Sequence, residues 1–450
     1  MKKREFLAMG GAVPLMLAGC GGNGTGSAPA RLVNASVGYQ AGLGFMDEST
    51  QIATGVAYGA ASAFFNIEAG SVHLTLTTTV NGQQVSATAA QLRTISKDQR
   101  YSLIAYGLLD ELRFVPLAET NITPDAGTAS VNVLNTSVDI GPVDVYLSAG
   151  KDLGISTLLV ANIAASTTAP AQSAFSTNIQ PGQYYVTVVG TGNIADVRFQ
   201  TPTPLTLTAL QVLTVILTPG AGGSLANAIL LTQGTAGTAT PIQNTTARVR
   251  AITSTNGLPA QVTGTDSTGK AITLLASNTT PQYSNYFVTN TGAPPTVTVS
   301  GTVVTPFMLV SGAQQAATLA AGGDYTLMVY VDGSTPVAQL IEDDNTAPTI
   351  AQGSKFRLIN LAANNQGLKM TMTMNSINVA SQVPYGTASL YTELATPQAT
   401  ASVAEVYNGD VLLTQHTKTI QLGNIFTDIV TSVDPSTGIA KDIFQAASGS

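Results

Sequence analysis

Apolar and polar positions alternate along most of this chain, in short bursts. Val72-His73-Leu74-Thr75-Leu76-Thr77 alternates cleanly, as do Met370-Thr371-Met372-Thr373-Met374 and Thr296-Val297-Thr298-Val299. The run from Tyr325 to Val331 keeps one wholly apolar face. A period of two marks a strand with one buried face, and the β-branched and aromatic residues that fill these bursts pack well on a pleated surface. Gly, Pro and Asn clusters separate them, as tight turns require. No long stretch follows the 3.6-residue period of a helix. The pattern predicts an all-β chain.

Several signals recur in a fixed order. An opening strand appears as Arg31-Leu32-Val33-Asn34-Ala35, Val131-Asn132-Val133-Leu134-Asn135, Arg248-Val249-Arg250-Ala251-Ile252 and Phe356-Arg357-Leu358-Ile359-Asn360. A Ser-x-aromatic step follows as Ser62-Ala63-Phe64, Ser173-Ala174-Phe175, Ser284-Asn285-Tyr286 and Ser389-Leu390-Tyr391, at intervals of 111, 111 and 105 residues. Two copies share Val-x-Tyr-Gly-x-Ala-Ser, from Val56 and from Val383. A repeat of about 108 residues suits a sandwich of two sheets. The prediction is tandem immunoglobulin-like antiparallel β-sandwich domains at residues 31–127, 128–243, 244–352 and 353–450. Short linkers around Thr123–Gly127 and Ala347–Thr349 predict close pairing of the first unit with the second and of the third with the fourth. The stretch Gln233–Thr246 is expected to be the loosest joint.

The N-terminus carries an address. Lys2, Lys3 and Arg4 precede a short apolar run from Phe6 to Ala18, too short to span a bilayer. The run reads as a signal peptide over residues 1–19. Leu17-Ala18-Gly19-Cys20 resembles the bacterial lipobox, in which the peptide is cut before a Cys whose sulfur is then lipidated; Cys20 is the only Cys of the chain. Residues 20–30 then form a lipidated, Gly-rich flexible tether. The resemblance implies a bacterial cell envelope lipoprotein whose partner is the membrane, held through a lipid anchor. Gly21, where Asp would retain the protein, implies the outer membrane.

The opening Arg31-Leu32-Val33-Asn34-Ala35-Ser36, the Val143-Asp144-Val145-Tyr146 strand, the Tyr-Gly-x-Ala-Ser step and the Asn-Ile-x-x-Gly turns at Asn66 and Asn178 resemble the bacterial cell-surface domain-of-unknown-function 4397 family, in tandem copies. The first, second and fourth units carry the motifs best. The third lacks both Val-Asp-Val-Tyr and Tyr-Gly. The resemblance implies a fold and a location, and no catalytic residues.

Composition narrows the function. Lys and Arg number 18 against 25 Asp and Glu in 450 residues, too few cations to displace phosphate counterions, so no nucleic-acid partner is expected. With one Cys and two His, neither a disulfide scaffold nor a Cys/His zinc site can be assembled. His73 and His416 are the only imidazoles and read as surface residues of strands, with no Gly-x-Ser-x-Gly elbow to serve. The acidic clusters are Asp47-Glu48, Asp110-Glu111 and Glu342-Asp343-Asp344-Asn345. The last, at the handover from third to fourth unit, is a candidate calcium site of hard oxygen ligands, with a charged surface turn as the alternative. Tyr283, Tyr286 and Phe287, and Tyr184-Tyr185, are candidate surfaces for a glycan or protein partner. No catalytic residue or other cofactor is expected. The expected function is non-catalytic: adhesion, scaffolding or polymer binding. A glycan-binding module array and a hydrolase with dispersed carboxylates are the alternatives.

Overall fold

The computed structural model describes residues 26–107, 112–119, 123–165, 173–234, 238–350, 353–395, 401–420 and 423–446. Leu17, Ala18, Gly19, Cys20 and the Asp110-Glu111 pair lie outside them. Regular structure among the described residues is strand, apart from two three-residue 3-10 helices at Val37–Tyr39 and Leu153–Ile155.

Eight sheets pair into four sandwiches, so the chain is a tandem β-sandwich protein. In the first, one sheet runs Phe65–Glu68, Ser27–Asn34, Tyr101–Tyr106, Arg113–Ala118. The facing sheet is built on Leu43–Asp47 and Gly70–Val80. Between them lie Leu32, Leu43, Phe45, Leu74, Leu76, Leu103 and Phe114, all removed from water. Equivalent cores form around Val133, Val145 and Val215, around Val249, Val262 and Leu327, and around Leu358, Met372 and Val406. The clean alternation of Met370–Met374 places all three methionines in that last core.

The ladders are antiparallel apart from the opening strand's pairing in each sandwich and a short parallel contact of Phe307–Val310 with Thr335–Asp343 in the third. The opening strand pairs in parallel with a strand some 70–80 residues later: Ser27–Asn34 with Tyr101–Tyr106, Ala129–Asn135 with Val212–Pro219, Thr246–Ser254 with Asp324–Asp332, and Gly353–Asn360 with Ile425–Val433. Both strands of each pair are buried almost throughout. The reason is that these sheets are covered on both faces. One face looks into its own sandwich and the other packs on a neighbouring sandwich.

Val33, Ile104, Tyr106 and Leu117 of the first sandwich meet Leu134, Ile216, Ile229 and Leu231 of the second. Ile252, Met328 and Tyr330 of the third meet Ile359, Leu361 and Ile429 of the fourth. The four sandwiches are therefore two back-to-back pairs. Sheets buried on both sides read as near-continuous apolar runs, and this is why the opening strands show little period-two alternation.

A buried Asn closes the opening strand in three units. Asn34 donates to the carbonyls of Tyr39 and Val56, Asn135 to Gly141 and Ile163, and Asn360 to Leu368 and Val383. Each Asn oxygen takes a backbone N–H two residues on. The second and third sandwiches meet through glycine turns. Gly222 donates to the Gly322 carbonyl, and Asn345 donates to the Gly222 carbonyl. Gly223 has φ +99°, and a Cβ there would fall 2.1 Å from the Asn345 carbonyl oxygen, so only glycine permits this approach. The Gln233–Thr246 stretch, expected as the loosest joint, holds the strand Ala239–Ile242, which extends the sheet of the second sandwich. Its polar composition concealed an edge strand.

Candidate functional site

The Ser-x-aromatic step is a clamp on the opening strand. Ser62, Ser284 and Ser389 accept with their hydroxyls from the N–H groups of Leu32, Ala251 and Leu358 at 2.9, 2.9 and 3.1 Å. The aromatic two residues on then covers an arginine of that strand. Phe64 lies over Arg31, Tyr286 over Arg250 and Tyr391 over Arg357, with guanidinium-to-centroid distances of 4.8, 4.8 and 4.4 Å. These arginines directly precede the inward residues Leu32, Ala251 and Leu358, so they point out of their own sandwich toward the neighbouring one. All three are buried. Asn132 holds this position in the second unit.

Buried arginines need anions. Between the third and fourth sandwiches the anion is Asp343, which accepts from Arg357 Nη2 at 2.5 Å, from Thr326 Oγ1 at 2.6 Å and from the Tyr286 hydroxyl, with Arg250 Nε 3.7 Å away. Burial alone would raise the Asp343 carboxyl; Arg357 and Arg250, with those hydroxyls, outweigh it and hold it below the usual carboxylate range. Asp324 receives Arg248 in a two-pronged pair at 2.9 and 2.7 Å. Asn345 donates to Asp324 at 2.7 Å and to the Tyr286 hydroxyl at 3.2 Å. Asp344 instead pairs with Lys355 at 2.8 Å on the outer side.

The calcium expectation for Glu342-Asp343-Asp344-Asn345 is corrected by this geometry. The run belongs to a strand and its exit, so side chains alternate: Asp343 and Asn345 turn inward while Glu342 and Asp344 turn out. The Asp343 oxygens serve arginines, Asn345 turns its amide nitrogen to Asp324 and Tyr286, and Asp344 faces Lys355 on the other side.

A groove of about 780 Å³ runs across the same junction. Asn256, Leu274 and Tyr283 line it from the third sandwich, Asn364, Lys441 and Asp442 from the fourth. Of the predicted aromatic cluster, Tyr283 is 47% exposed here, Tyr286 is sealed among arginines, and Phe287 packs against the core. Tyr184 also packs on its own core, and Tyr185 lies 5.9 Å beneath Lys151. An exposed aromatic face flanked by amides and an ammonium suits the stacking and hydrogen bonding of a polar polymer.

His73 sits on the exposed side of its strand. His416 does not lie free on the surface: its Nε2 is 2.7 Å from Asp442 Oδ2, and the pair lies beside the buried Asp428. Their ligand-capable atoms all fall within 4.8 Å of one another. Burial, and then the adjacent Asp442, push the Asp428 carboxyl well above its ordinary range. The expectation of a surface imidazole is corrected for His416: it stands opposite the core residue Ala404, so it faces the interior and meets partners from the facing sheet. The charged Asp428 inside Ile425-Phe426-Thr427-Asp428-Ile429-Val430 was the signal available in the sequence.

Residues 28–146 match the model of a family described as Domain of unknown function (DUF4397). The match takes in the first sandwich and the start of the second, through Tyr146. No curated protein matches the chain. Among solved structures, the chain is similar to the pilus adhesin SpaC from Lactobacillus rhamnosus GG at 14% identity, over 71% of this chain and 44% of the adhesin chain, with a TM-score of 0.12. The chain thus spans under half of that adhesin.

Proposed function

We propose, for a chain that is DUF4397-like over residues 28–146, a non-catalytic cell-envelope lipoprotein that holds stiff paired sandwiches away from a membrane. The observation that carries this reading is the double burial of the opening sheets. Each pair of sandwiches shares an apolar seam, and the arginines at the seams are sealed under aromatic rings. Such a seam resists bending between partners, which suits a spacer or scaffold. The lipobox-like Leu17-Ala18-Gly19-Cys20 supplies the anchor and the outer membrane its site. Fractionation of cells carrying Cys20→Ser tests this. The variant should leave the membrane fraction and lose its lipid label; a variant that stays membrane-bound and labelled defeats the proposal.

A second reading rests on Tyr283. Its exposed ring in the groove favours a glycan or other polar polymer as the surface partner. Binding of the soluble chain to an array of glycans should fall about tenfold or more for Tyr283→Ala, since a buried stacking aromatic is commonly worth 2 kcal/mol or more. Binding that is absent for every sugar class, or indifferent to Tyr283, removes it.

A further inference from the structure

The outer edge of the last sandwich carries a site that the seams do not use. His416 lies on Val411–Thr419, the edge strand of one sheet, and Asp442 on Ala440–Ala446, the edge strand of the other. Asp428 lies on Ile425–Val433, next to the second edge strand. Along that strand Phe426, Asp428 and Val430 share the inner face, and Phe426 and Val430 belong to the apolar core. Asp428 is thus a carboxylate inside a sandwich. Its exposure is 0%, and neither of its oxygens has a hydrogen-bond partner among the described residues.

An unpaired carboxylate in such a place is costly unless a proton or a cation accompanies it. Its neighbours are a second carboxylate, which would repel it, and an imidazole already engaged with that second carboxylate through Nε2. The Asp442 carboxyl and the Ile429 N–H lie near enough to act on it, and neither completes a hydrogen bond to its oxygens. A divalent cation at the centre of the three side chains would be met by two carboxylates, −2 together when ionised, with the imidazole as a third ligand.

We propose that His416, Asp428 and Asp442 bind a divalent transition-metal ion of the zinc type, which closes the open edge of the fourth sandwich. The ligand chemistry selects the class. An imidazole nitrogen suits zinc and its neighbours, whereas calcium and magnesium take oxygen sets of six or more. The size also fits. Ligands of a tetrahedral Zn²⁺ at about 2.0–2.2 Å from the metal stand about 3.4 Å apart. The three atoms here span up to 4.8 Å and down to the 2.7 Å His416–Asp442 contact, so rotamer shifts of about 1 Å gather them. The imidazole is one quarter exposed, which gives an entry path and leaves a coordination position toward solvent. Because the ligands come from both sheets, the ion would join the layers covalently in effect where no backbone ladder can.

The site shares Asp442 with the lining of the groove, but its test does not involve Tyr283 or the lipid anchor and leaves both of those readings standing. The soluble chain, carrying Cys20→Ser and no histidine tag, is titrated with ZnCl₂ by calorimetry and followed by thermal unfolding. One Zn²⁺ per chain should bind, and saturation should raise Tm of the transition that includes the fourth sandwich by about 5 °C or more. Asp428→Asn keeps the shape and removes the anionic ligand. It should fold, match or exceed the metal-free wild type in Tm, and lose the zinc response. His416→Gln should weaken zinc at least tenfold. Absence of stoichiometric zinc, a full zinc response in Asp428→Asn, or an equal shift with CaCl₂ would each overturn the proposal.

Discussion

The two seams that join the sandwiches into pairs solve one problem with different chemistry. Between the first and second, nine buried apolar side chains, among them Ile104, Leu134, Ile216, Ile229 and Leu231, fill the contact. Arg31 stands beside it, paired at 2.6 Å with Glu119 of its own sandwich, which Arg100 also meets at 3.0 Å. Across the seam the Gly234 N–H donates to Glu119, the Thr232 carbonyl accepts from Arg31, and the Tyr58 and Thr218 hydroxyls share a hydrogen bond at 2.8 Å. Between the third and fourth, the apolar set is smaller, six buried residues. The difference is made up by ions that cross the seam. Asp343 of the third sandwich binds Arg357 of the fourth as well as its own Arg250. An apolar seam tolerates small slips, because contact area changes little with register. An ion pair that crosses the seam has one geometry, so it fixes how the partners sit even where it adds little net stability.

The sharpest way to break this contrast is Asp343→Ala. It strands two buried arginines with one substitution, at a cost of about 3–5 kcal/mol. A multi-domain chain does not unfold in one step, so the loss is best read as local hydrogen exchange. Amides of Thr246–Ser254 and Gly353–Asn360 should exchange together and faster, while Ser27–Asn34 keeps its protection. Equal loss in both pairs would mean that the four sandwiches behave as one cooperative body. Next in size is Ile216→Ala at the first seam, where cavity and transfer terms come to about 2–4 kcal/mol. Here the exposed amides should be those of Ala129–Asn135 and Tyr101–Tyr106. A milder effect than that of Tyr286→Phe would overturn the view that apolar area holds this seam.

How much of this was open to reading from the chain depends on where partners lie. Met370, Met372 and Met374 were legible as a buried face, since each strand's alternation is local. The Ser-x-aromatic steps were legible as a recurrence and not as a clamp. Ser62 meets Leu32 thirty residues upstream, and a strand buried on both faces gives no sign of which side an arginine takes. The Asn that ends the opening strand in three units finds its two carbonyl partners 5 to 28 residues further on, which no local pattern shows. Glu342 to Asn345 misled because four consecutive oxygens look like a ligand set until the pleat separates them. Asp428, His416 and Asp442 come from three strands in two sheets, and no spacing along the chain brings them together.

Acid provides a weaker, graded version of the Asp343 experiment. Its folded carboxyl sits below the ordinary range, so the unfolded chain takes up the proton first as pH falls. The stabilisation is therefore complete above about pH 4, the ordinary carboxylate value, and is lost as pH falls below it through the lowered folded value. Protection factors at Gly353–Asn360 should decline over that window. In Asp343→Asn, which cannot titrate, this part of the decline should vanish. If the variant and the parent respond to acid alike, another carboxylate controls the seam.

The smallest expected effect is the most specific. Tyr286→Phe removes one hydroxyl and leaves the ring over Arg248 and Arg250, at 4.6 and 4.8 Å. The hydroxyl donates to Asp343 and accepts from Asn345. Both keep other partners: Asp343 retains Arg357 and Thr326, and Asn345 retains Asp324. No buried group is orphaned, so the loss should be that of one hydrogen bond to a charged group, about 1–2 kcal/mol. The first sandwich already has Phe64 at this place, and among the described residues the ion pairs of its Glu119 stay within that sandwich. Tyr286→Phe therefore moves the second seam one step toward the first while keeping its ions. A loss as large as that of Asp343→Ala would make the hydroxyl, which ties Asp343 to Asn345, the organiser of the seam in place of the carboxylate.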